Sequence, residues 1–270
     1  MPSERVALRR EQKTMLMTLY LHARDADSKH PVLGDRYAAP VLNRIDYDFK
    51  RLKSLSGNQP VIVARAKAID DIARAFLERH EEAVVLHLGC GLDSRVQRLD
   101  PGPGVAGYDV DQQPVIDLRR RLIDTRPGTT MLATSVTDSS WWSEIPHDRP
   151  TLVVGEGLLM YISPDDVASL IDAALSRPVP TQTFVFDTVA PWFMRASKWQ
   201  TNFRTADTKF VSTTQDLADA FARHQGITLS EERSVVSLAR QATPGPLGAV
   251  IAAVDALPAG HRAMVIRTYL

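Results

Sequence analysis

The chain has 270 residues, is 44% hydrophobic and balances 32 basic against 32 acidic residues, so it is long enough for one large core and carries no net charge. Without an excess positive field, nucleic acid is not an expected partner. The single cysteine, Cys90, rules out an internal disulfide and a thiolate metal cluster, and no metal site is expected. No signal-peptide core and no run of about 18 apolar residues is visible, so the expectation is a soluble, cytoplasmic protein that does not engage a membrane.

Residues 1–80 read as a helical extension ahead of the first strand. In its second half Ile62, Ile69, Ile72 and Phe76 recur at steps of seven, three and four, so they line one side of a helix. Arg65 falls on that same side. A guanidinium on an apolar stripe is costly unless paired, and its anion is either a structural carboxylate or the carboxylate of a ligand.

From residue 81 to residue 270 strands and helices alternate as in a doubly wound α/β sheet. Strands are predicted at 84–88, 105–110, 130–133, 151–155 and 183–187. Helices are predicted at 93–99, 114–123 and 164–174, the last with Ser163 as N-cap and Pro164 at its first position. An insertion at about 188–214 carries Trp192, Phe193, Met194, Trp199 and Phe203. A helix at 215–224, a strand near 227–236 and a final strand at 263–270 complete the pattern, with a Pro/Gly stretch at 243–248 between the last two.

The segment VVLHLGCGLDSRV, residues 84–96, runs an apolar strand into Gly89-Cys90-Gly91. YDVD, residues 108–111, closes the next strand with Asp109 and Asp111, 20 and 22 residues beyond Gly89. A glycine turn followed by an acid at that distance marks a nucleotide cleft with the acid on the ribose. A dinucleotide fingerprint wants a third glycine three residues after Gly91, and Ser94 stands there. S-adenosylmethionine has no pyrophosphate and needs only the two-glycine turn. Glu156 ends the apolar run TLVVGEG at the edge where open α/β sheets bind ligands; it is either a partner for a cationic cofactor or a strand-end acid met by solvent or a helix.

Together SKHPVLGD (28–35), VARAKAIDD (63–71), LHLGCGLDSRV (86–96), YDVDQQPVIDLRR (108–120), SVTD (135–138) and LVVGEGLLMYIS (152–163) resemble the leucine carboxyl methyltransferase superfamily. The likeness is greatest to its bacterial branch of the tetracenomycin polyketide O-methyltransferase type. It covers roughly residues 14–187 and loosens beyond. It implies a class I S-adenosylmethionine-dependent methyltransferase: a Rossmann-like, mostly parallel seven-stranded sheet with an N-terminal helical extension. It also implies that Lys29 and Arg65 hold the cofactor's methionine carboxylate. Gly89 and Gly91 would pass close to the cofactor, Asp111 would bind the ribose with Asp109 in support, and Glu156 would match the family glutamate. Adenine contacts would fall at Ser135 and Val136, where protein-methylating relatives usually show Asp-Leu.

The expected activity is therefore O-methylation of a small molecule, a polyketide-like carboxylate or phenol. Alternatives are methylation of a protein carboxyl group, or cofactor binding without turnover. A carboxylate acceptor needs no general base near neutral pH, whereas a phenol benefits from one. Tyr161, His22, His30 and His224 are candidate bases, but no spacing marks any of them, so no catalytic residue is assigned. The aromatic stretch from Trp192 to Phe203 either walls a substrate pocket or packs the insertion down. Nothing in the sequence indicates the oligomeric state.

Overall fold

The computed structural model describes residues 4–5, 12–197 and 209–270. Seven strands form one sheet: β3 (Ala83–Leu88), β4 (Val105–Asp111), β5 (Thr129–Ala133), β6 (Thr151–Gly155), β7 (Gln182–Val189), β8 (Leu229–Ser234) and β9 (Met264–Tyr269). Their order is β5-β4-β3-β6-β7-β9-β8, with β9 antiparallel to both neighbours and the others parallel. Strand order reverses between β3 and β6. The crevice at their carboxyl ends is where this architecture binds ligands. A two-residue ladder, β1 (Glu4–Arg5) with β2 (Ile45–Asp46), lies apart from the sheet.

Both faces of β3 are covered, so all six of its residues, AVVLHL, are buried. On one face Leu86, Val153, Phe184 and Phe186 pack with Val167 and Ile171 of α6 (Pro164–Leu175) and with Leu217 and Phe221 of the helix Thr214–Ala222. On the other, Val85, Val154, Val185 and Ile266 meet Ile69, Ala73 and Phe76 of α3 (Gln59–Leu77). Burying such a side chain is worth about 2 kcal/mol, so the helical stripe fixes α3 across the central strands. A third cluster holds the extension in place: Leu16 and Leu19 of α1 (Gln12–Ala26) and Val41 of α2 (Ala38–Leu42) pack on Leu92 and on Leu118 and Leu122 of α5 (Gln113–Leu122).

Local signals act where the sequence places them. Ser163 Oγ accepts the Asp166 amide at 3.1 Å and starts α6, and Thr213 and Asp216 form a reciprocal capping box. The helix after the glycine turn, α4 (Arg95–Leu99), starts two residues later than predicted, because Asp93 and Ser94 spend their side chains on ion pairs and hydrogen bonds. The tail departs further. The predicted strand at 227–236 ends at Ser234, whose Oγ accepts the Ser237 amide at 3.2 Å and caps a helix, Val235–Ala242. The Pro/Gly stretch at 243–248, expected only to separate two strands, starts a helix: Gly245 and Pro246 open Gly245–Asp255, a position where proline's missing N–H costs nothing. Among the described residues no helix is long and apolar enough to cross a membrane.

Candidate active site

The turn after β3 is left-handed at Gly89 (φ +62°) and Gly91 (φ +52°), a conformation that a Cβ disfavours. Space is short as well. A Cβ on Gly89 would come within 2.9 Å of Leu158, and one on Gly91 within 3.2 Å of Met15 from α1. The N-terminal extension therefore lies directly against the glycine turn.

Asp109 and Asp111 both face this turn but do different work. Asp111 takes the Gly91 amide on Oδ2 at 2.8 Å and the Gln112 amide on Oδ1 at 2.7 Å. Burial pushes its pKa up against those two amides. Each oxygen retains acceptor capacity. Asp109 is buried and is matched by Arg119 of α5 at 2.7 and 3.0 Å. Burial opposes its ionisation, but Arg119 and His87 outweigh it and hold the carboxyl below its usual range. The same guanidinium donates to the carbonyls of Gly91 (3.1 Å) and Asp93 (2.7 Å). Asp109 thus supports the turn through Arg119.

Across the crevice Arg65 is buried and meets two carboxylates, Glu156 at 2.9 Å and Asp187 at 2.9 Å. Its Nη2 has no hydrogen-bond partner among the described residues and faces Gly157, whose missing Cβ would stand 3.4 Å away. Glu156 is held between Arg65 and Arg95. Burial alone would raise its pKa, yet the two guanidinium groups bring it down to about 2. Asp187 accepts the Gly157 amide at 2.6 Å, and here burial prevails over Arg65 and pushes the carboxyl up. Arg65 is thus answered by structural carboxylates and still keeps one donor edge unpaired.

The other predicted positions are less engaged. Lys29 is exposed in the loop after α1 and makes no ion pair or hydrogen bond among the described residues. Ser135 is exposed and pairs with the Thr137 hydroxyl at 2.8 Å, while the Val136 side chain turns into the core. Of the candidate bases, His224 pairs with Asp172 at 2.7 Å on α6, His22 is buried beside Asp35 at 3.4 Å, and His30 is exposed. Burial raises the Tyr161 phenol to about 12, which keeps it a hydrogen-bond donor. Tyr161, Phe193 and Met194 pack on Met160, Val189 and Phe210 beside the crevice. Trp199 and Phe203 lie outside the described residues.

Asp187, Arg95, Arg119 and Asp70 were not singled out from the sequence. Asp187 had a usable signal, since it ends a predicted strand at the same sheet edge as Glu156. Asp70 joins Arg95 at 2.8 Å and Arg98 at 2.7 Å; both of these partners lie off α3 and meet it only once tertiary structure forms.

A sequence profile of leucine carboxyl methyltransferases matches residues 15–175. The chain belongs to that family. The Streptomyces glaucescens tetracenomycin polyketide synthesis O-methyltransferase TcmP is 36% identical over 263 residues, covering 96% of this chain and 97% of its own length. The S-adenosyl-L-methionine-dependent methyltransferase dpfgK of Gibberella zeae is 37% identical over 182 residues, 62% of this chain and 61% of its own. Among solved structures, a protein of the DUF574 family from Streptomyces avermitilis superposes with a TM-score of 0.61 at 13% identity, over 97% of this chain and 99% of that one. A Thermobifida fusca structure gives 0.60 at 17% identity, over 92% and 93%. These two likenesses carry the fold. With its family membership and relatives, the chain is an S-adenosylmethionine-dependent methyltransferase.

Proposed function

We propose that the chain methylates an oxygen, of a carboxylate or a phenol, on a small, flat, polyketide-like molecule. The observation that carries this reading is the wall beside the crevice, where Met160, Val189 and Phe210 are buried and Tyr161, Phe193 and Met194 pack on them. Aromatic and thioether side chains suit a flat apolar ligand. The S. glaucescens relative, matched over nearly its whole length, is named for such a substrate.

The residues at hand fit the cofactor. Gly89 and Gly91 hold the left-handed turn that a Cβ would disfavour, Asp111 would offer its carboxylate oxygens to ribose hydroxyls, and Arg65 Nη2 with Lys29 would take the methionine carboxylate. Glu156 would act near the cationic end by fixing Arg65, and Ser135 and the Val136 backbone would border the adenine. Bound there, the cofactor supplies an electrophilic methyl group on a sulfonium. The chain's own task is to align an oxygen with that group and keep water out. A carboxylate arrives already ionised, and Tyr161, protonated up to about 12, is suited to donate a hydrogen bond to an acceptor.

The test is calorimetric titration with S-adenosylmethionine and with NAD, followed by methyl transfer to an aromatic polyketide acid and to its phenolic analogue. Heat with S-adenosylmethionine alone and a methylated small-molecule product are expected. Arg65→Ala and Asp111→Ala should each weaken cofactor binding while the fold persists. Wild-type affinity in both variants would remove these residues from the site, and methylation confined to protein C-termini would refute the acceptor class.

A further inference from the structure

Ser94, which stands where a dinucleotide motif would have glycine, is 2% exposed and donates its hydroxyl to both oxygens of Asp35, at 2.6 and 2.7 Å. Asp35 is itself 1% exposed and also receives Arg98 at 2.9 Å. It ends the loop that follows α1. That loop is curled on Asp25, whose carboxylate accepts the amides of Val32 (3.0 Å), Leu33 (2.9 Å) and Gly34 (2.9 Å). A segment of eight residues carrying Lys29 is therefore fixed at its inner side by one aspartate and tied at its end to the glycine turn by another.

We propose that Asp35 and Ser94 are positioning residues that latch the N-terminal segment onto the glycine turn and so set where Lys29 stands over the cofactor crevice. The inference rests on the reading of Lys29 and the crevice given above. Three features support a latch in preference to a generic buried contact. It joins the extension directly to the turn that Gly91 and Asp111 build. Arg98 continues it to Asp70 on α3 at 2.7 Å, so the extension, the turn and the helix bearing Arg65 share one charged junction. The junction is also held shut electrostatically: burial works against the Asp35 carboxylate, but His22, Arg98 and Ser94 keep it ionised. Among the described residues, His22, Asp35 and Asp93 form the one grouping with metal-ligand spacing, and Arg98 already supplies its cation.

The experiment compares two probes on the full chain, S-adenosylhomocysteine and adenosine, the second lacking the amino-acid portion that Lys29 would meet. Ser94→Ala removes one hydroxyl and should weaken S-adenosylhomocysteine about tenfold while leaving adenosine unchanged. In a Lys29→Ala background the same substitution should have no further effect, because the latch acts through Lys29. Asp35→Asn is the second variant and should show the same selectivity. Equal loss for both probes, or full additivity with Lys29→Ala, would reduce the contact to ordinary stabilisation and overturn the proposal. If wild type binds S-adenosylhomocysteine and Lys29→Ala weakens it but Ser94→Ala does not, the latch alone fails. If Lys29→Ala has wild-type affinity, the underlying reading of Lys29 fails first.

Discussion

Glu156→Gln replaces a carboxylate held between two arginines by a neutral amide of nearly the same shape. Folding lowers its pKa from 4.5 to about 2, a difference worth about 3 kcal/mol at neutral pH. A depressed carboxylate pKa contributes stability that is fully present above about pH 4.5 and is lost as pH falls through about 2. The variant should therefore be about 3 kcal/mol less stable at pH 7, with Tm lower by roughly 5 to 10 °C. By pH 3 the gap should narrow to roughly 1 to 2 kcal/mol. Because Arg65 keeps Asp187 and Arg95 keeps Asp70, the amide variant should still fold. Urea denaturation of both proteins at several pH values measures this. A gap under about 0.5 kcal/mol at pH 7, or one that does not shrink on acidification, would refute the reasoning.

Asp109→Asn should cost about 3–5 kcal/mol by leaving the Arg119 guanidinium buried without its counter-charge. Asp109→Leu combined with Arg119→Met should recover much of that stability but not cofactor affinity, since the Gly91 and Asp93 carbonyls lose their donor; calorimetry of the double variant decides. Cys90 is 1% exposed, and burial raises its thiol well above the ordinary value. Labelling by a thiol reagent should then follow global unfolding, and fast reaction with the native protein would contradict this. With Tyr161 protonated up to about 12, kcat should show no basic limb from this residue between pH 7 and about 10. A limb present in wild type and absent in Tyr161→Phe would show that the phenol ionises in that range.

The sheet was legible because its strands are short apolar runs bounded by turn residues, and the crevice because glycine spacing and strand-end acids are local patterns. Arg65 was visible as an anomaly, a charge on an apolar stripe. Its partner Asp187 lies 122 positions away, and no local periodicity couples the two. Arg119 is one of three consecutive arginines at the end of α5; only the packing of α5 against the turn separates it from Arg120 and Arg121. The helix Gly245–Asp255 was missed because Gly and Pro read as loop residues until their position at a helix start is known.

The two sides of the crevice differ in how freely they can change. The proposed methyl-donor side is wired by buried ion pairs from α3, α4, α5, β4 and β7 and from Glu156 just after β6, where exchanging one partner costs several kcal/mol. The proposed acceptor side around Met160, Phe193 and Phe210 is built from apolar contacts that tolerate substitution when volume is kept. Mutational drift can therefore reshape what this scaffold methylates while what it methylates with stays fixed, and a library confined to that apolar wall would sample new acceptors at little risk to the fold.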